Sequence, residues 1–470
     1  MNTSPFTSTV FGDSRISARA NFFIQSCVSS GTSVVNRIFP TMSDKIGAYR
    51  LFNNKKVTMD SIINAYYEDC KACASQSGCE HILCLQDTCE INYEAHGMRM
   101  HKNGKSPGIV SNNEAGCFFH ACLAVNAETI LPMGFTYIKM WNREEKGLNS
   151  KSRRYKSMPR TEKESIRWSN AIDQSECVIG KSVMISVVSD RESDVYDVLS
   201  RGDETLKILV RSNQRRKITD DSCNVHDFIR KQPIRGSFDL KIPHSHNRKR
   251  RVAKMQVQFT AVHFQRPANS PKSAYTEICL NCIRVSEFGG SCPKGEEPLE
   301  WILLTNHEVT SLEQALQCVS WYRCRWYIEE FFRLLKKKGF AIEDIQLEDT
   351  QALEKNIMLV SYATMLTITL KQALDKPDNF KQIPVEQYFN EEEIETAILL
   401  SSMVNGRTKI TTNPYPEKSL PWMAWIIARL GKWSGYLSQS KPGYITIKRG
   451  LDNLYSKSEF LKIVRDVYKG

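Results

Sequence analysis

Two acids in this chain stand where a short apolar run stops. Asp87 follows HILCLQ and Asp190 follows VMISVVS. An acid so placed is expected at the end of a strand, held by rigid backbone and open to solvent, a common position for a metal ligand in α/β proteins. Taken singly, each could equally begin a turn or cap the next helix. A third acid comes from a run expected to form one long helix from about Leu312 to Lys338, with Ser311 as its N-cap. On it Tyr322, Arg325, Glu329 and Lys336 stand at offsets 0, 3, 7 and 14. At about 100° per residue they fall within an arc of roughly 60°, a single polar stripe. Trp321, Ile328, Phe331, Phe332 and Leu335 form the neighbouring face, suited to packing on a sheet. A helix docked by that face would hold Glu329 over the strand ends that carry Asp87 and Asp190. Glu330 would sit about 100° further round, away from the stripe. The blander alternative is an outer charged face in which Arg325 and Glu329 pair at i,i+4 for a few tenths of a kcal/mol. It does not account for a polar stripe bordering an apolar one.

The elements that must position these residues follow from pattern and punctuation. Residues 1–75 read as short helices, with Asp13, Ser43 and Thr58 as candidate caps. Arg15, Arg19, Arg50, Lys55 and Lys56 decorate this region, which suits either a nucleic-acid-binding module or a plain helical cap. Residues 76–350 read as an α/β core: HILCLQDT, then GCFFHACLAVNA and LPMGFTYIKMW at hairpin spacing, a helix in TEKESIRWSNAI, and VMISVVSD and LKILVRSNQ as further strands. A β-rich insertion occupies about 215–300, after which LEWILLTN resumes the core. Residues 351–470 are expected to be helical.

Composition sets the frame. At 470 residues the chain is too long for one compact core. Its 64 Lys and Arg against 52 Asp and Glu give a net charge of +12, which fits a polyanionic partner. The excess is distributed as KSRRYK (151–156), RRK (215–217), RKRR (248–251) and KKK (336–338), a spread that favours a long groove tracking phosphates over one basic tail. No run reaches the roughly 18 apolar residues of a membrane helix, and the N-terminus lacks a secretory pattern, so the expected location is the cytoplasm. The fifteen cysteines are odd in number and scattered through apolar segments, as reduced thiols would be. The CxxC pairs Cys70/Cys73 and Cys279/Cys282 lie on a helix and inside a strand, without a matching second pair, so zinc is not expected.

The pattern Y-x-x-R-x-x-x-E-x-x-x-x-x-x-K, standing here as Tyr322, Arg325, Glu329 and Lys336, resembles the signature of bacterial insertion-sequence DDE transposases, the cut-and-paste enzymes that include the kanamycin-transposon transposase. SDRESDVY (Asp190, Arg191, Glu192, Asp194) is similar to their second acidic block and LQDT to the block around their first Asp. GAYRLFNN, LVRSN, LEWILLT and IARLG also look family-like, so the resemblance runs from about residue 12 to residue 450. The C-terminal ITIKRGLDNL lacks the tryptophans of the corresponding family segment.

The resemblance implies a ribonuclease-H-like catalytic core, interrupted before the Glu helix by a β-rich insertion, with helical N- and C-terminal domains. The 139 positions from Asp190 to Glu329 leave room for it. It implies Asp87, Asp190 and Glu329 as catalytic ligands of two Mg²⁺ ions, with Mn²⁺ able to substitute. Tyr322, Arg325, Lys336 and Arg211 would hold DNA, and Trp301 and Trp326 would stack on a base flipped out at a hairpin. Arg50 and Lys55 would contact the DNA ends. The implied partner is double-stranded DNA, transposon ends and target, bound by a homodimer. A catalytically silent DNA-binding relative and a metal-dependent nuclease that does not transpose are the alternatives.

Overall fold

The structure is a computed structural model that describes residues 5–7, 9–93, 108–111, 114–143, 163–242, 250–268, 275–293, 295–336, 339–406, 411–436 and 440–469. The KSRRYK cluster and Lys337 and Lys338 lie outside the described residues, as do Arg248 and Lys249. The chain forms two compact units: one takes in Met1–Cys79, Thr88–Arg154 and Tyr327–Gly470, the other Glu80–Asp87 and Tyr155–Trp326.

The first unit is mainly helical. Asp13 caps α1 (Ser14–Ser30) by accepting from Arg15 N, and Thr58 caps α3 (Met59–Ser77) in a reciprocal box with Ser61. The cap of α2 (Met42–Phe52) is Thr41, not Ser43: its hydroxyl accepts from Asp44 N at 3.2 Å, which places Ser43 inside the first turn. Strands β2 (Gly116–Asn126) and β3 (Pro132–Trp141) pair antiparallel, as the spacing predicts, and β2 is buried throughout. The long helix α8 (Thr350–Asp375) runs through the interior of this unit. Tyr66 donates to Met358 O at 2.9 Å and Lys355 Nζ to Phe52 O at 2.8 Å, tying α8 to α3 and to the end of α2. By length and composition α8 would pass as a membrane span, with a mean hydropathy of 1.3 over its apolar window, but 94% of that window is buried inside the protein. That is how an all-round apolar core helix behaves. Helices α9 (Glu391–Val404), α10 (Leu420–Leu430) and α11 (Tyr444–Lys469) complete the unit.

The second unit is built on a large mixed sheet. Its order is β1-β4-β5-β9-β8-β7-β6, where β1 is His81–Asn92, β4 Met184–Ser189, β5 Leu206–Arg211, β6 Gly236–Ile242, β7 Arg251–Gln265, β8 Glu277–Glu287 and β9 Glu300–Thr305. Strands β1, β4 and β5 are parallel and the rest join antiparallel. The β-rich insertion therefore does not stand apart: β6, β7 and β8 extend the sheet beyond β9. Parallel strands need both faces covered, and the near-continuous apolar runs of β4 and β5 meet that need. Helices α4 (Ile166–Ile179) and α5 (Val225–Lys231) also belong here.

The expected single helix over 312–338 is instead two. Helix α6 (Leu312–Cys324) ends at Arg325, and α7 (Trp326–Leu335) begins after it. Arg325 keeps a right-handed conformation (φ −53°, ψ −27°), but its N–H bonds to Tyr322 O, three residues back, at 3.1 Å. The turn tightens locally without losing helical sense.

Candidate active site

Asp87 does not end its strand, as its sequence suggests; β1 continues to Asn92. What ends near Asp87 is the pairing with β4. The parallel register runs from His81↔Met184 to Leu85↔Val188, so Asp87 and Asp190 each lie two residues past the last paired position of their strands. Two carboxylates are thus fixed at the same end of adjacent strands of the second unit. Asp190 also caps the turn that follows, its Oδ1 accepting from Glu192 N at 2.9 Å. The capping role and the strand-end role coexist in one residue.

Around this pair the second unit gathers four more of the expected residues. Arg325 Nη1 donates to Asp87 Oδ2 at 3.1 Å, with side chains only 13% and 18% exposed. Its guanidinium carbon lies 5.9 Å from the Tyr322 ring centroid, and Trp301 stands 6.2 Å from that ring on the tilt. Arg211, at the end of β5, donates from Nη2 to Glu300 O at 3.0 Å. Burial pushes the Tyr322 phenol above its ordinary range, with Arg325 and Arg211 pulling it back and Asp190 pushing it further up. Burial likewise pulls the Arg211 guanidinium down, opposed by Tyr322. These mutual effects place Asp190, Arg211, Tyr322 and Arg325 in one electrostatic neighbourhood. Trp326 is 57% exposed.

Glu329 and Lys336 belong to the first unit, as do Arg50 and Lys55, which are exposed. Helix α7 is anchored there by its apolar face. Phe331 lies 5.4 Å from Phe135 and Phe332 lies 5.8 Å from Phe119, rings of β3 and β2, and Ile328 and Leu335 are fully buried. Glu330 is buried and engaged by Arg333 Nε at 2.7 Å, whereas Glu329 is half-buried. Glu330 is thus held within its own helix.

Asp87 and Asp190 offer hard oxygen donors and no sulfur or imidazole, a set that suits Mg²⁺ or Mn²⁺. Among the described residues no three His, Cys, Asp or Glu side chains are gathered closely enough to hold a metal unaided. Cys279 is exposed and Cys282 buried on β8, because an odd spacing sends them to opposite faces of the sheet, so that pair does not chelate.

Two groups have roles that the sequence reading did not assign, although it placed Asp194 in the second acidic block. Asp194, with its side chain fully buried, accepts from Asn213 N and Gln214 N at 2.7 Å each and from Arg216 Nε and Nη2 at 3.1 and 3.0 Å. It fastens the loop after β5 to the loop after β4. At the other end of the parallel strands Ser186 Oγ lies 2.7 Å from both His81 Nε2 and His307 Nε2, with Trp321 packed on both rings. Burial pushes these imidazoles down to about 4 and about 3. Only sheet register brings them together.

A family model described as a transposase DDE domain matches residues 137–366, just under half of the chain, a span that takes in Asp190, Arg211, Trp301, Tyr322, Arg325, Trp326, Glu329 and Lys336 but begins after Asp87. That match supports a DDE transposase family for this chain, with DNA as the implied partner.

Proposed function

We propose that the protein is a cut-and-paste DNA transposase with a ribonuclease-H-like core, in which Asp87, Asp190 and Glu329 hold two Mg²⁺ ions. The observation that carries the reading is the parallel pairing of β1 with β4, just past which Asp87 and Asp190 stand at the same end of the two strands, with Arg325 on Asp87 and Tyr322 and Arg211 in the same electrostatic neighbourhood. Bound there, the ions would activate the attacking oxygen and stabilise the leaving one. The chain's own groups do the positioning. Arg325 and Arg211 present planar forks to phosphate oxygens, Tyr322 donates from its phenol, and Lys336 adds a point charge. Release of Asp87 from Arg325 frees the acid for a ligand and the guanidinium for a phosphate. Hydrolysis frees a 3′-hydroxyl that attacks the opposite strand, giving a hairpin, with Trp301 and Trp326 offering faces for an extruded base.

Functional territories follow: residues 1–75, with Arg50 and Lys55, bind the terminal inverted repeats; residues 76–350 carry the chemistry; residues 351–470 serve a homodimer. The exposed Phe460, Ile463 and Val467 on α11 supply an apolar stripe for that contact. The work would be done in the cytoplasm, on the bacterial chromosome. The test is incubation of the protein, Mg²⁺ and a plasmid bearing the inverted repeats that flank its gene. Excised ends and joined products are expected. Binding without cleavage would instead indicate a catalytically silent relative, and cleavage without joining a nuclease.

A further inference from the structure

In the β-rich extension of the second unit, sheet register sets a cysteine directly across from a histidine. His263 of β7 faces Cys279 of β8, and Glu277 stands two residues along β8 on the same face. The backbone of His263 turns its polar groups away from β8: its O accepts from Thr219 N at 3.0 Å, and its N–H donates to Asp220 Oδ2 at 2.7 Å. His263 and Cys279 therefore form a non-hydrogen-bonded pair, the kind in which Cα atoms come within about 4.5 Å and side chains lie closest. Both reach solvent: Cys279 is exposed and the His263 side chain is 42% exposed. Thr219 Oγ1 donates to Glu277 Oε1 at 3.1 Å, which keeps that acid beside the pair.

Asp220 holds His263 twice, because its other oxygen, Oδ1, lies 2.8 Å from the ring Nδ1. Burial pushes the Asp220 carboxyl up, but the backbone and ring bonds of His263 outweigh it and hold the acid below its ordinary range. An ionised carboxylate only accepts, so Nδ1 carries the proton and Nε2, across the ring, keeps its lone pair. A carboxylate that fixes the tautomer from behind is the arrangement that orients metal-binding histidines. Burial, then Asp220 and Glu277, hold the Cys279 thiol above its ordinary range, so a metal must displace a proton to take the sulfur. We infer that His263 Nε2 and Cys279 Sγ bind one divalent cation of the Zn²⁺ and Co²⁺ class, with water completing a tetrahedron. Imidazole and thiolate do not suit Mg²⁺, which takes oxygen ligands. Two protein donors are fewer than the three that would hold an ion unaided, so the ion exchanges readily and chelators strip it. Through Asp220 it would tie β8 to the turn that follows Arg215, Arg216 and Lys217. The site is independent of the proposed catalytic acids.

The test uses the full chain, stripped by a chelator, kept reduced by a phosphine and held in excess Mg²⁺ so that oxygen-donor sites are filled. Co²⁺ titration is followed by the thiolate-to-Co²⁺ charge-transfer absorption in the near ultraviolet, a band that carboxylate sites do not give. Saturable binding of one Co²⁺ per chain is expected, reversed by Zn²⁺, with about one proton released per ion. Cys279→Ser should abolish the band, whereas Cys177→Ser, at an exposed thiol of α4, should leave it unchanged. His263→Phe should weaken binding at least about tenfold, and Asp220→Asn about ten- to a hundredfold, because an amide N–H set against Nδ1 moves the ring proton to Nε2. Unchanged far-UV circular dichroism in each variant would show that folding is intact. Absence of the band, its persistence in Cys279→Ser, or wild-type affinity in a folded His263→Phe variant would overturn the assignment. None of these outcomes bears on Asp87, Asp190 or Glu329.

Discussion

Asp190 and Asp194 stand four residues apart in one acidic block, yet their surroundings require opposite behaviour on substitution. Asp194→Ala removes a fully buried carboxylate that receives two backbone N–H groups at 2.7 Å and a two-pronged contact from Arg216, itself 17% exposed. Breaking a buried ion pair by deleting one partner costs about 3–5 kcal/mol. Each stranded buried N–H adds about 1–3 kcal/mol, less whatever water recovers on entering the gap. A net loss of about 3–5 kcal/mol follows, since these terms are not additive. Asp190→Ala loses one cap bond, to Glu192 N at 2.9 Å, from a half-buried side chain. That costs about 1 kcal/mol, and relief of repulsion from Asp87 offsets part of it. Urea unfolding followed by tryptophan fluorescence measures both. The second unit holds Trp168, Trp301, Trp321 and Trp326, so its transition is visible. Asp194→Ala should unfold early while Asp190→Ala unfolds near wild type but fails to cleave DNA. Equal stability of the two variants, or a stable Asp194→Ala protein, would refute the structural assignment of Asp194.

Other outcomes follow from the same geometry. A double-mutant cycle on Asp87→Asn and Arg325→Ala should return a coupling of about 1–3 kcal/mol, and a value near zero would show that the 3.1 Å contact is not made in solution. Because burial holds His81 and His307 at about 4 and about 3 against an ordinary 6.5, the unfolded chain takes up protons first as pH falls. Stability is therefore whole above pH 6.5 and declines toward pH 4, by as much as roughly 1.4 kcal/mol per pH unit for each imidazole; replacing His307 by Phe should flatten that slope. Phe331→Ala empties a fully buried site between α7 and the β2/β3 pair and should cost about 3–5 kcal/mol in the first unit, read by local loss of amide protection. Arg50→Ala and Lys55→Ala should each reduce the slope of log affinity for DNA against log salt by about 1; an unchanged slope would remove them from the DNA interface.

Much of the site's chemistry was legible because it depends on local pattern. The apolar runs before Asp87 and Asp190 marked β1 and β4, and Asp13, Thr58 and Ser311 announced their helices through side chains that satisfy nearby N–H groups. The apolar face of α7 was readable from helical period, and Phe331 and Phe332 are buried as it requires. The joint at Arg325 was not legible, since no Gly or Pro marks it and only one hydrogen bond changes from i−4 to i−3. The extension of β1 past Asp87 was hidden because the acid interrupts the apolar run, and TCEIN is short and mostly polar although Cys89 and Ile91 alternate along it. Asp194 and the His81–Ser186–His307 chain depend on partners 18 to 121 positions away, which no short window of sequence shows.

The most direct test of the central claim is metal-specific rescue of strand cleavage. Asp87→Cys, Asp190→Cys and Glu329→Cys each replace a hard oxygen ligand by a thiolate, which accepts Mn²⁺ better than Mg²⁺. On DNA carrying the gene's own flanking repeats, the account predicts that each variant is inactive in Mg²⁺ and regains cleavage in Mn²⁺, while the matching Ala variants stay inactive in both. Cleavage by any of the three Cys variants in Mg²⁺ at the wild-type rate would show that its acid is not a metal ligand and would contradict the account.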